Sequence, residues 1–275
     1  MSETSLRIVT FVLGACIGSF LNVCISRWPL GLSVVKPRSR CPNCGHEITW
    51  YENIPILSWL ALRARCRGCG TAISPVYPLV ELVVALGWLA AVVEYGPSLT
   101  ALRVAVFGTL LLGIALTDAE HYVIPDGFTA FGLVWMLVMA VAGVFIGETV
   151  PFADLYDALM GACVGAGAIS IAGWLGEMAF KKEAMGFGDV TLMAMAGAAL
   201  GPGRTLLTVF LGALIGAVVF LAVVFPIGWA SSKRSGTAFD PPLVPFGVFL
   251  APAALLALLW GRSMADWYVH GVLGR

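Results

Sequence analysis

The chain has 275 residues, 59% of them hydrophobic and only 12% charged, about half the charged share of a soluble globular protein. Hydrophobicity spread along most of this length excludes an ordinary soluble domain and indicates an all-α polytopic membrane protein. The formal net charge is zero, so there is no bulk electrostatic attraction to nucleic acid, and none is expected as a partner.

Apolar runs near the ~20 residues that cross a bilayer recur along the sequence. They are predicted at residues 6–26, 77–95, 99–117, 126–146, 152–180, 189–200, 204–229 and 244–261, about eight helices in all. The run at 189–200 is short and rich in Gly, Ala and Met, which fits a helix that is tilted or partly shielded inside the bundle. Arg7 precedes the first run as in a signal peptide, but basic residues follow it rather than a small-residue cleavage site. It reads as a retained helix. Small residues such as Gly161, Gly165, Gly167, Gly173 and Gly176 form a packing pattern that lets membrane helices approach closely. No internal repeat is legible, and residues 231–242 read as a polar connector.

Lys and Arg fall unevenly between the two sides. With the N-terminus outside, cytosolic segments hold Arg27, Lys36, Arg38, Arg40, Arg63, Arg65, Arg67, Lys181, Lys182, Lys233 and Arg234. The other side holds Arg7, Arg103, Arg204, Arg262 and Arg275, giving eleven against five. The positive-inside rule therefore puts the polar interruption after the first run in the cytosol.

That interruption carries Cys41-Pro-Asn-Cys44 and Cys66-Arg-Gly-Cys69, 21 residues apart. Two such pairs can close a tetrahedral thiolate shell, and a reducing cytosol favours metal over a disulfide. Four thiolates leave no open position, so the expected ion is a structural zinc in a small zinc-ribbon-like module. His46 is read as a surface residue. Cys16, Cys24 and Cys163 sit singly in apolar runs and read as small membrane-core residues. Three segments follow: a first transmembrane helix over 1–26, the four-cysteine module over 27–76, and a membrane core over 77–275.

Ionisable residues at membrane depth are functional candidates. Asp118 lies at the end of the third run and Asp189, within Gly186-Phe187-Gly188-Asp189, at the start of the sixth. The helix count puts both on the cytosolic side. Two carboxylates in contact can share a proton, one activating water and the other donating to a peptide carbonyl. Gly186 and Gly188 would give a substrate backbone room. The competing reading is structural: Asp118 as a solvated helix end, Asp189 and Asp126 as helix caps. Glu120 and His121 read as solvated loop residues.

At these residues the chain resembles the bacterial type IV prepilin peptidases, themselves similar to the GxGD-type intramembrane aspartyl proteases. The resemblance also rests on Gly18-Ser19-Phe20-Leu21-Asn22-Val23, Glu52-Asn53-Ile54-Pro55, Tyr77-Pro78-Leu79-Val80-Glu81-Leu82 and Val244-Pro245-Phe246-Gly247. It implies catalytic Asp118 and Asp189, zinc on Cys41, Cys44, Cys66 and Cys69, and an inner-membrane location. It implies an aspartic endopeptidase that removes a short basic leader from prepilins or pseudopilins of type IV pili or type II secretion. It also implies N-methylation of the new N-terminus with S-adenosylmethionine, although no soluble-type glycine-rich cofactor loop is present. Glu81, within the second run, is a candidate for substrate or methyl transfer, or for a polar contact between helices. Glu120 departs from the aspartate that family members often place there.

Two rival functions make different demands. A transporter or proton relay would place carboxylates near the midplane and show inverted repeats. A non-enzymatic assembly protein would tolerate neutralisation of either aspartate.

Overall fold

The computed structural model describes residues 2–182, 185–235 and 244–272. Residues 236–242 of the predicted connector, and Arg275, lie outside these, while 231–235 belong to a helix. Seven helices among the described residues are long and apolar enough to cross a bilayer. The chain is a multi-pass membrane protein, and its helices divide between two compact units, Met1–Gly113 and Ile114–Arg275.

In the first unit, α1 (Glu3–Arg27) begins where the Ser2 hydroxyl accepts the Ser5 N–H at 3.2 Å, satisfying one of the free donors of the first turn. A polar segment holding a single-turn helix, α2 (Leu57–Ala61), leads to α3 (Val76–Tyr95) and the start of α4 (Leu99–His121). Glycines set the close packing of α1 on α3. A Cβ on Gly14 would fall 2.8 Å from Cα of Ala85, and one on Gly18 2.7 Å from Cα of Glu81. Asn22 secures the pair by donating its amide to the Tyr77 carbonyl at 3.0 Å. Trp88 ties α3 to α4 through its indole N–H on the Thr109 hydroxyl, 3.0 Å away, which itself donates to the Ala105 carbonyl at 2.7 Å.

The second unit takes the end of α4, then α5 (Asp126–Ile146), α6 (Leu155–Phe180), α7 (Phe187–Leu200) and α8 (Pro202–Val219). A π-helical turn over Phe220–Val224 carries α8 into α9 (Phe225–Ser235), and α10 (Gly247–Asp266) follows. Here α7 is the centre, packed against α5, α6, α8 and α10. Every residue from Met195 to Leu200 is buried. At 14 residues and 1.5 Å per residue it is about 21 Å long, short of the ~30 Å hydrocarbon core. This is the short sixth run of the sequence, and protein surrounds it.

Main-chain contact between α6 and α7 is made possible by glycine. A Cβ on Gly161 would collide with the Gly197 carbonyl, and one on Gly165 with that of Met193. Gly167 meets nothing, so only part of the small-residue pattern is used for packing. Arg204, at the start of α8, gives its guanidinium to the carbonyls of Leu200 and Pro151 and so fastens the far end of α7. Of the single cysteines, Cys24 is buried, whereas Cys16 and Cys163 are exposed on their helices rather than in the core.

Candidate metal site and candidate active site

The polar segment of the first unit is built on a repeat that the one-dimensional pattern concealed. Cys41 N–H donates to the His46 carbonyl at 2.9 Å, and Cys66 N–H to that of Thr71 at 2.8 Å. Gly45 N–H reaches the Cys41 carbonyl at 2.9 Å, and Gly70 N–H that of Cys66 at 2.8 Å. Isolated bridges pair Arg40 with Glu47 and Arg65 with Ala72. Residues 39–48 and 64–73 are thus two copies of one knuckle, contrary to the expectation of no internal repeat. The legible trace is Arg-Cys-x-x-Cys-Gly, present twice. Gly45 and Gly70 turn each knuckle at φ 72° and 73°, where other residues are strained.

The knuckles bring Cys41, Cys44, Cys66 and Cys69 together with all four sulfurs within 4.8 Å of one another. Cys41 and Cys69 Sγ are 3.9 Å apart, as are Cys44 and Cys66 Sγ. A tetrahedron with ~2.3 Å metal–sulfur bonds has edges of about 3.8 Å, so this donor set fits a metal ion. The Asn43 amide lies 3.6 Å from Cys69 Sγ and donates to the Thr71 hydroxyl at 2.9 Å, linking one knuckle to the other.

His46 stands outside the sulfur cluster, with Nε2 3.2 Å from Glu52. The Glu52 carboxylate also accepts the Thr49 N–H at 2.9 Å and the Thr49 hydroxyl at 2.8 Å. Those Thr49 bonds, chiefly the backbone one, hold its carboxyl down to about 2. A depressed carboxyl stabilises the fold above its ordinary range near 4.5, and that contribution is lost as pH falls towards 2. At neutral pH the clasp is fully in force, and Glu52→Gln is expected to speed metal loss to a chelator. An unchanged rate would remove Glu52 from the module's support.

Glu81 is buried on α3, where its Oε2 accepts the Ile56 N–H at 2.7 Å. Ile56 has φ 62°, a genuine outlier for a β-branched residue. The Ser19 hydroxyl also acts on this carboxylate. Two of the sequence blocks singled out above, and the residue directly after a third, therefore meet at one side chain.

In the second unit, α4 runs on to His121, so Asp118 sits within a helix and is buried, rather than in a loop. Glu120 is exposed and His121 half-buried in that last turn, 4.0 Å apart. Asp118 Oδ2 accepts the Val248 N–H at 3.2 Å, at the start of α10. That end of a helix favours an anion because its first N–H groups are unpaired. Gly247 is needed there, since a Cβ would fall 2.8 Å from Asp118 Oδ2 and 2.9 Å from Ile124 Cδ1. A Cβ on Gly188 would likewise fall 2.8 Å from Ile124 Cβ. Ile124 thus lies against both glycines, one beside each aspartate.

Asp189, in the first turn of α7, is buried, and its Oδ2 accepts the Gly186 N–H at 3.2 Å. The carboxylates of Asp118 and Asp189 are close enough to act on each other electrostatically. Gly186 has an ordinary extended backbone at φ −79°, so Gly188 and Gly247 serve close approach rather than unusual dihedrals. Sequence reasoning picked out the Val244–Gly247 block but assigned it no part; a glycine at the start of an apolar run was its only signal. Asp126 opens α5 and is exposed.

Paired buried carboxylates beside helix N-termini, in a chain of seven apolar spans with a four-thiol module, define a membrane protein equipped for polar chemistry. Two family descriptions match this chain: the bacterial peptidase A24 N-terminal domain over residues 12–95 and the type IV leader peptidase family over residues 105–221. It is similar to a prepilin leader peptidase/N-methyltransferase of Myxococcus xanthus, 44% identical over 84% of this chain and 67% of the relative. Proteins of the same name from Aeromonas hydrophila and Pseudomonas aeruginosa are 34% and 36% identical. Each alignment covers at least 95% of this chain and 92% of the relative. No solved structure matches. The chain belongs to the type IV leader peptidase family.

Proposed function

We propose that this protein is an aspartic endopeptidase that removes the basic leader of prepilins or pseudopilins at the cytosolic face of the bacterial inner membrane. The single observation that carries this reading is the approach of Asp118 and Asp189, two buried carboxyl groups in mutual electrostatic range. The family match supports the substrate class, and the eleven-to-five distribution of Lys and Arg supports the orientation.

The chemistry follows from the pair. Two carboxyl groups brought into contact on a substrate favour a state in which one proton is shared, and the two groups then titrate as a unit. The ionised member takes a proton from water, and that water attacks the scissile carbonyl carbon. The protonated member gives its proton to the carbonyl oxygen, so the tetrahedral intermediate forms without net change in charge on the pair. In the collapse the newly protonated member gives its proton to the leaving nitrogen while its partner takes one back from the intermediate, so the C–N bond breaks to release the leader's carboxyl group and the new amine. The N–H groups of Val248 and Gly186 fix each carboxylate's orientation.

Four thiolates support zinc as the metal, in a closed, structural shell on Cys41, Cys44, Cys66 and Cys69. The module spans residues 27–76 between the helix of 1–26 and the catalytic core of 77–275. Cys41→Ser is expected to lose metal and thermal stability first, with cleavage declining only as the protein unfolds. Loss of cleavage in a variant that stays folded and metal-loaded would make the ion catalytic.

The relatives' second activity brings N-methylation of the new N-terminus to this chain, with S-adenosylmethionine as the methyl donor. Glu81 is the candidate to serve that step or substrate entry. The test is mass spectrometry of a basic-leader prepilin incubated with the full-length protein and S-adenosylmethionine. Loss of the leader establishes the protease, and one added methyl mass establishes the transferase. An intact substrate with folded, metal-loaded protein would favour an assembly or transport role.

A further inference from the structure

The surface of the four-cysteine module combines two features that membrane topology alone does not explain together. On α2, Leu57, Leu60 and Ala61 lie one helical turn apart on a single face, with Leu57 65% and Leu60 59% exposed. Trp59 turns the other way and donates its indole N–H to the Ile73 carbonyl at 3.1 Å. Trp50, ahead of α2, is 81% exposed. None of these residues belongs to a membrane-crossing helix.

The segment that carries this face is rich in basic residues. Between residues 27 and 75 stand Arg27, Lys36, Arg38, Arg40, Arg63, Arg65 and Arg67 against Glu47 and Glu52, seven positive charges to two negative. Arg40 pairs with Glu47 at 2.6 Å and Arg67 approaches Glu52 at 3.7 Å. Among the described residues, Arg63 and Arg65, directly after α2, have no carboxylate partner. Both ends of the segment are fixed to membrane-crossing helices, at Arg27 and at Val76. The face cannot travel far from a bilayer surface.

We propose that this face of the module docks onto anionic phospholipid headgroups, with Leu57, Leu60 and Trp50 entering the interface and Arg63 and Arg65 meeting phosphates. An apolar stripe bordered by Arg is the arrangement that binds interfacial helices, and Trp favours headgroup depth. A zinc ion on four thiolates carries a net charge of about −2, which leaves the module about three positive charges in excess; that balance still repels a basic leader, so charge complementarity selects lipid over substrate. The positive-inside rule accounts for the arginines, but it does not require exposed leucine and tryptophan beside them.

Hydrogen exchange on the full-length protein tests this, comparing detergent, phosphatidylcholine nanodiscs and nanodiscs containing phosphatidylglycerol. Amides of residues 57–65 are expected to exchange on the order of tenfold more slowly in the anionic discs, the scale that two basic residues at an anionic surface support. Raised salt should reverse most of the effect. The double variant Leu57→Asp, Leu60→Asp should abolish it, with metal content and leader cleavage in detergent reporting that the protein is intact. Equal exchange in all three settings would overturn the proposal. So would equal slowing in both kinds of disc, or slowing that needs an added prepilin peptide, which would assign the face to a protein partner.

Discussion

Asparagine at position 118 or 189 is expected to stop leader cleavage while leaving the protein folded and metal-loaded. The substitution is nearly isosteric, and the amide oxygen can still accept the Val248 N–H at position 118 or the Gly186 N–H at position 189. What it removes is the capacity to hold and release a proton. Because the groups act as one unit, either change should cost the full general acid–base contribution, on the order of 10³-fold or more. Cleavage is followed by mass spectrometry and integrity by thermal unfolding and metal content. A folded variant that processes prepilin at the wild-type rate would refute the shared-proton mechanism. Methylation of a pre-cleaved pilin provides an independent reading, since it does not need that proton.

Gly197→Val is expected to cost the membrane core much of its stability. The added Cβ would meet the carbonyl group of Gly161, which is backbone and cannot rotate aside. Overpacking of this kind costs roughly 1–3 kcal/mol, and more where main chain must move. The damage reaches function through α7, because the helix displaced is the one that begins at Asp189. Gly167→Ala on α6 is the control: its Cβ meets nothing within 4 Å, and helix propensity alone should make it neutral or stabilising by up to ~1 kcal/mol. Midpoints of thermal unfolding in one detergent compare the two. Similar losses from both would show that main-chain proximity is not what Gly197 supplies.

Most of the fold was legible because membrane helices announce themselves by length and composition, which needs no knowledge of tertiary contacts. Even the short run at 189–200 was distinguishable, since small residues in place of large apolar ones mark a helix that faces protein. The aspartates were visible for a related reason, because charge is conspicuous in an apolar sequence. Their immediate setting was not. The hydrogen bond from Val248 to Asp118 joins residues 130 positions apart, and local patterns carry no signal over that separation. Nothing in the sequence sets Ile124 apart, and its place against Gly188 and Gly247 depends on three elements meeting. The knuckle repeat was missed because only four of its residue types recur, while the likeness lies in main-chain hydrogen bonds.

That repeat has a bearing on how the module can exist at all. Each knuckle supplies two thiolates, half of a coordination shell, so neither copy is a complete binding unit by itself. An ion bound there would be shared equally, and its binding free energy would become the energy of association between two like halves. A segment of this length has little apolar surface to bury, yet it gains a defined shape from one central contact. In this sense the module behaves as a miniature dimer whose subunits happen to be consecutive in one chain.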